Sequence, residues 1–168
     1  GPCGKVEQMS ISIFAPSVAE LEPNNLLGVA ESALLLAATA SGSHLLQLAI
    51  ESVEADVQET LVASLRGHIW DIAGSRHGNF VLQKGIATAP ATFGPLLASE
   101  LGNCAASAAQ HNTRSRVVER LLEHCLPEQV DGIVDELIGA MPAICRDPYG
   151  NFVIQRLFEH SSAEHRHH

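Results

Sequence analysis

The chain has 168 residues, a formal net charge of −9, and 46% hydrophobic but only 4% aromatic residues. That length gives one domain with room for a proper core, and the shortage of aromatics leaves Leu, Ile, Val and Ala to build it, which argues for packed helices against an aromatic-rich β-sandwich or disorder. An excess of acids, 19 Asp+Glu against 10 Lys+Arg, makes default nucleic-acid binding a poor expectation, and the longest uncharged stretch, 32–50, is too polar to span a membrane.

Along the chain, Gly1–Val6 is short and polar with no apolar run behind it, so no secretory signal is expected. Residues 1–19 lie outside the pattern that follows, and Ile13, Phe14, Val18 and Leu21 suit a cap. From residue 20 the sequence repeats. The strings Gly42–Gln47, Gly78–Gln83, Arg114–Glu119 and Gly150–Gln155 align, with second residues at 43, 79, 115 and 151, a step of 36. Apolar positions keep the same step: Leu65, Leu101 and Leu137; Leu36, Ile72, Ala108 and Ile144; Ile50, Ile86, Leu122 and Phe158. The repeats run 20–55, 56–91, 92–127 and 128–163, followed by a tail, 164–168.

Each repeat reads as a pair or triplet of short helices. In the second, Leu61, Leu65, Ile69 and Ile72 follow helical spacing, as do Val81, Leu82 and Ile86, with Gly74–Gly78 as the break. In the third, Leu97, Leu101 and Ala105 precede Val117, Val118, Leu121 and Leu122. In the fourth, Ile133, Leu137 and Met141 lead to Pro142, and Asp147–Gly150 is a turn. One such unit cannot bury its apolar face alone, so stacked units must share a core. The expected fold is an all-α solenoid of four repeats.

None of Cys3, Cys104, Cys125 and Cys145 forms a C-x-x-C pair. The last three read as small apolar core residues, which suits a reducing compartment. Trp70 is expected in the core. Ser75, His111 and Asp147 stand at equivalent positions just before the repeated strings and suit a capping or turn role. His160, His165, His167 and His168 resemble a tag more than a metal site. No catalytic constellation and no phosphate-binding glycine loop stands out, so neither enzyme activity nor a cofactor is expected.

The strings carry the functional signal. Their second, third and sixth residues are i, i+1 and i+4 on a helix, and i and i+4 share a face. The trios are Ser43/His44/Gln47, Asn79/Phe80/Gln83, Ser115/Arg116/Glu119 and Asn151/Phe152/Gln155. Their apolar neighbours face the core, so the trios should face outward. A polar pair beside a flat side chain is what reading a splayed-out base requires: hydrogen-bonding groups for its edge and a plane for its face.

These strings resemble Pumilio-type (PUF) RNA-binding repeats over about residues 20–163. The resemblance implies a right-handed α-solenoid. It also implies base-edge roles for Ser43, Gln47, Asn79, Gln83, Ser115, Glu119, Asn151 and Gln155, and stacking roles for His44, Phe80, Arg116 and Phe152. In that family Asn with Gln reads uracil, Ser with Glu guanine, and Ser with Gln adenine, on RNA running antiparallel to the repeats. The implied word is 5′-UGUA-3′. PUF domains usually have eight repeats, and these four trios match the C-terminal half. The chemistry agrees with the assignments: a carboxylate such as Glu119 accepts the two donors of guanine's edge, and an amide suits uracil's donor and carbonyls.

The acidic net charge is unevenly spread. The windows 74–84, 110–120 and 146–156 hold seven cations, including Arg76, Lys84, Arg116, Arg120 and Arg156, against two acids, Glu119 and Asp147. Arg76, Lys84, Arg120 and Arg156 are expected near phosphates or as supporting charge, and the acids are expected to sit away from the trio face. The resemblance implies a cytoplasmic regulator of mRNA translation or decay. Two other readings stand beside it: an α-solenoid protein scaffold with a regulatory protein on its acidic outer face, and a nuclear or nucleolar relative binding ribosomal RNA precursors. Ile144, Val153, Leu157 and Phe158 at the end of the stack form an expected apolar edge for a homodimer.

Overall fold

The computed structural model describes residues 26–51 and 54–165, so the cap expected over 1–19 and the end of the tail, 166–168, lie outside the described residues. Helices recur in threes. They are α1 (Leu26–Glu31), α2 (Ala33–Leu36) and α3 (Ala40–Ile50); α4 (Ala55–Leu65), α5 (Ile69–Gly74) and α6 (Gly78–Thr88); α7 (Pro90–Leu101), α8 (Ala105–Ala109) and α9 (Arg114–His124); and α10 (Pro127–Gly139), α11 (Met141–Ile144) and α12 (Gly150–His165). Each repeat is therefore a triplet. Third helices stack in the row α3, α6, α9, α12, and first helices in the row α1, α4, α7, α10. The result is a four-repeat α-solenoid, with one core running between the two rows.

Local chemistry places the breaks. Pro90 and Pro127 open α7 and α10 at positions whose amides need no helical partner. Gln129 Oε1 accepts from the Leu126 amide at 2.9 Å, closing the start of α10. Other helix starts are served from the next repeat. Glu100 of α7 accepts from the Gly67 and Ile69 amides at 2.9 and 3.3 Å, at the entry to α5. One step on, Glu136 of α10 accepts from the Ala106 amide in α8 at 3.1 Å. These carboxylates join neighbouring repeats as well as capping helices.

The 36-residue register is a packing register. Leu65, Leu101 and Leu137 are all fully buried. Ile50, Ile86 and Leu122 are 0%, 0% and 1% exposed, each covered by the repeat after it, while Phe158 in the same register is 59% exposed. The apolar edge expected at the end of the stack is smaller than anticipated. Ile144, Val153 and Leu157 are buried, and of the four only Phe158 is open. Cys125 is buried and Cys104 partly so, but Cys145 is exposed: its counterparts Ala73 and Ala109 are buried in earlier repeats, and no described repeat is stacked beyond Cys145. Trp70 is partly buried against the core.

Candidate RNA interface

The third helix of each repeat starts from a turn held by one side chain. Thr39 Oγ1 accepts from the Gly42 amide at 3.0 Å. Ser75 Oγ accepts from His77 and Gly78, His111 Nδ1 from Thr113 and Arg114, and Asp147 Oδ1 from Tyr149 and Gly150, at 2.8–3.3 Å. The capping role expected for Ser75, His111 and Asp147 is therefore present, and Thr39 completes the series. Since Nδ1 accepts two amides, neutral His111 carries its proton on Nε2. Burial, and then the Arg114 charge, hold its pKa below the ordinary histidine value.

These turns fix where the trios fall. His44, Phe80, Arg116 and Phe152 are exposed, with Phe80 at 50% and Phe152 at 54%, so four flat or ringed side chains stand out along one row. The polar partners do not all face outward as expected. Ser43, Asn79 and Ser115 are only 4%, 1% and 3% exposed. The next repeat closes over them: the Ser43 hydroxyl donates to the His77 carbonyl at 2.8 Å. Asn79 Nδ2 donates to the Ser75 and Arg76 carbonyls at 2.7 and 3.1 Å, and its Oδ1 accepts from Gln83 Nε2 at 2.9 Å. Gln47 Nε2 likewise donates to Ser43 Oγ at 3.3 Å. Gln47, Gln83 and Glu119 remain half-buried at the surface, so the i+4 residue is the more accessible of each pair. In the last repeat Asn151 and Gln155 are both exposed, because nothing described lies beyond them.

Recesses lie between the stacking side chains. One is lined by Asn79, Phe80 and Arg116, with Arg76 and His77 at its rim. The next is lined by Ser115, Arg116, Glu119 and Phe152, with Tyr149 beside them. Each recess therefore has a flat group from two successive repeats; the second holds the pair Ser115 and Glu119, and the first holds Asn79 of its pair. His77 borders the first recess, and Thr113 and Tyr149, which the sequence reading gave no site role, border the first and second. Their spacing of 36 was the signal that could have found them.

The supporting cations differ from expectation. Arg76 is exposed at a recess, but the other three are in ion pairs. Lys84 Nζ lies 2.6 Å from Glu51, and Arg120 lies 2.6 Å from Glu123. Arg156 meets Glu123 at 2.9 Å, Glu159 at 2.8 Å and Glu119 at 3.8 Å. Glu51 and Glu123 thus border the reading helices, and the acids are not confined away from the trio face. Arg114, another of the seven cations in the windows 74–84, 110–120 and 146–156, turns inward: its guanidinium lies 4.0 Å over the Trp70 ring and its Nε donates to the Trp70 carbonyl at 2.9 Å. Gly74 leaves the space, since a Cβ there would run into that guanidinium.

A family model for the Pumilio-family RNA binding repeat matches residues 68–91, 115–138 and 141–168. The chain carries Pumilio-family repeats. The matches fall on the second, third and fourth copies, and the first copy joins them through its register. Pumilio homology domain family member 4 of Saccharomyces cerevisiae is 27% identical over 97 residues, 58% of this chain and 11% of that protein. The solved structure of PUF-8 in complex with PBE-RNA superposes with a TM-score of 0.75 at 26% identity, over 81% of this chain and 40% of that one. The Puf3 RNA-binding domain bound to a Cox17 RNA 3′ UTR recognition sequence gives a TM-score of 0.72 at 28% identity, over 78% of this chain and 37% of that one. This chain thus spans about two fifths of those solved chains. Its PUF repeats stack as theirs do.

Proposed function

We propose that this chain binds single-stranded RNA sequence-specifically, one base per repeat, at a 5′-UGUA-3′ core, and acts in post-transcriptional regulation of mRNA without catalysing a reaction. The observation that carries this reading is the alternation of ring and recess: Phe80, Arg116 and Phe152 border two successive recesses, the first holding Asn79 and the second the pair Ser115 and Glu119. A base entering such a recess stacks between these groups, worth ~1–3 kcal/mol per base, and meets Asn79, or Ser115 and Glu119, at its edge. Support also comes from the RNA complexes of PUF-8 and Puf3, whose repeats resemble these. An enzyme or a protein scaffold has no use for four such pairs at one register.

Four bases leave little surplus after association and ordering costs, so the expected affinity is about micromolar. Selection from a random RNA pool, read by sequencing, tests the function. Enrichment of UGUA is the expected result, and equal binding of UGUA and CCCC overturns it.

A further inference from the structure

Within the proposed reading of RNA, the third repeat differs from the second in how its pair is held. Gln83 donates to Asn79 Oδ1 at 2.9 Å, so that pair orients itself. Glu119 is a carboxylate and has no hydrogen to give Ser115. Its partner across the repeat boundary is a charge, Arg156 of α12, whose Nε lies 3.8 Å from Glu119 Oε1 as an ion pair. The same guanidinium is anchored on both sides, at 2.9 Å to Glu123 of α9 and 2.8 Å to Glu159 of its own helix. It is therefore a held cation beside the reading carboxylate.

We propose that Arg156 is a positioning residue for guanine selectivity: held by Glu123 and Glu159, it orients the Glu119 carboxylate toward the recess between Arg116 and Phe152 and does not serve as a phosphate contact. The electrostatics agree. Burial pushes the Glu119 pKa up, and among the charges that pull it back Arg156 is the largest, ahead of Arg120 and Arg116, with Glu123 acting the other way. A guanine edge offers two donors and needs an ionised acceptor. A cation fixed beside that acceptor keeps it ionised in a half-buried setting. Three carboxylates already share the Arg156 guanidinium, which leaves it poorly placed for a phosphate.

The test compares binding of short RNAs containing UGUA or UAUA by the wild type, Arg156→Gln and Glu123→Gln, at several salt concentrations. Arg156→Gln is expected to lose about tenfold of the preference for G at the second base, the size of one bidentate contact. Preferences at the other three bases and the salt slope should stay unchanged, which a merely structural role does not produce. Glu123→Gln, which removes one of the two anchors and leaves Glu159 to hold Arg156, should lose part of the G preference, less than Arg156→Gln does. Uniform weakening of all RNAs with a flatter salt slope in Arg156→Gln would make it a phosphate contact and overturn the proposal. So would an intact G preference in that variant, or a larger loss of that preference in Glu123→Gln than in Arg156→Gln. A wild type that binds no RNA removes the functional reading itself, a result distinct from either.

Discussion

Lys84 Nζ lies 2.6 Å from Glu51 Oε1, and the two residues are 33 apart in sequence. Arg156 and Glu123 have the same separation and are also paired, at 2.9 Å. A cation on α6 and one on α12 thus reach back to an acid near the end of the third helix before them. The remaining rung of this ladder is Arg120 with residue 87, and residue 87 is Ala. Arg120 pairs instead within its own helix, with Glu123 at 2.6 Å.

Completing that rung should stabilise the stack. Ala87→Glu is expected to add about 0.5 kcal/mol, the scale of an exposed pair, and to raise the melting temperature by roughly 1–2 °C. The gain should disappear in molar salt, where such pairs are screened. Differential scanning fluorimetry at low and high salt measures it, and an increase that survives high salt would show another origin.

Arg114 tests the line between RNA contact and fold. Its stack on Trp70 and its bond to the Trp70 carbonyl join the second and third repeats. Arg114→Ala should cost about 1–2 kcal/mol of stability. It should leave the salt slope of RNA binding where it was. A flatter slope without loss of stability would return Arg114 to the RNA face.

Register was legible in the sequence because burial follows it. Leu65, Leu101 and Leu137, or Ile50, Ile86 and Leu122, are apolar at one step because each meets the same neighbour in the next unit. The capping series at Ser75, His111 and Asp147 was legible for the same reason. What could not be read was the partner of each polar group. Arg114 and Arg116 look alike in the sequence, yet one lies on Trp70 and the other stands in the recess, a difference made by Gly74 and Trp70 from another repeat. Asn79 and Asn151 are the same residue at the same register, and only the repeat stacked beyond Asn79 separates a buried amide from an exposed one.

His111 gives α9 a pH-sensitive start. Its neutral Nδ1 accepts the Thr113 and Arg114 amides, and its pKa is lowered in the fold. Between that lowered value and the unfolded value near 6.5, the unfolded chain binds more protons. The contribution of His111 to stability is therefore fully present above about pH 6.5 and is lost as pH falls through the folded pKa. His111→Ser places at 111 the cap that Ser75 already provides one repeat earlier. Melting temperatures of the two proteins should converge as pH drops from 7.5 to 5.0 if the wild type starts higher, or separate with the wild type lower if it starts level. The difference between them isolates His111 from Glu119, whose raised pKa acts in the opposite direction. A difference that does not change with pH would rule out the protonation of His111.

The two substitutions that convert Glu119 and Ser115 into pairs found elsewhere in the chain test the reading itself. Glu119→Gln leaves Ser115 with a glutamine, the combination of Ser43 and Gln47, where the amide donates to the hydroxyl at 3.3 Å. Guanine then faces an amide hydrogen in place of an acceptor, and adenine, which offers an acceptor and a donor, fits better. The preferred second base should move from G to A. Adding Ser115→Asn recreates the Asn79 and Gln83 pair, whose internal hydrogen bond at 2.9 Å needs no cation from the next repeat. The preference should then move to U, with each mismatch costing ~1–3 kcal/mol. In this double variant the effect of Arg156→Gln on base choice should vanish, since no carboxylate remains to be oriented. Binding of UGUA, UAUA and UUUA by the three proteins decides it: an unchanged order of preference means that residues 115 and 119 do not face the second base.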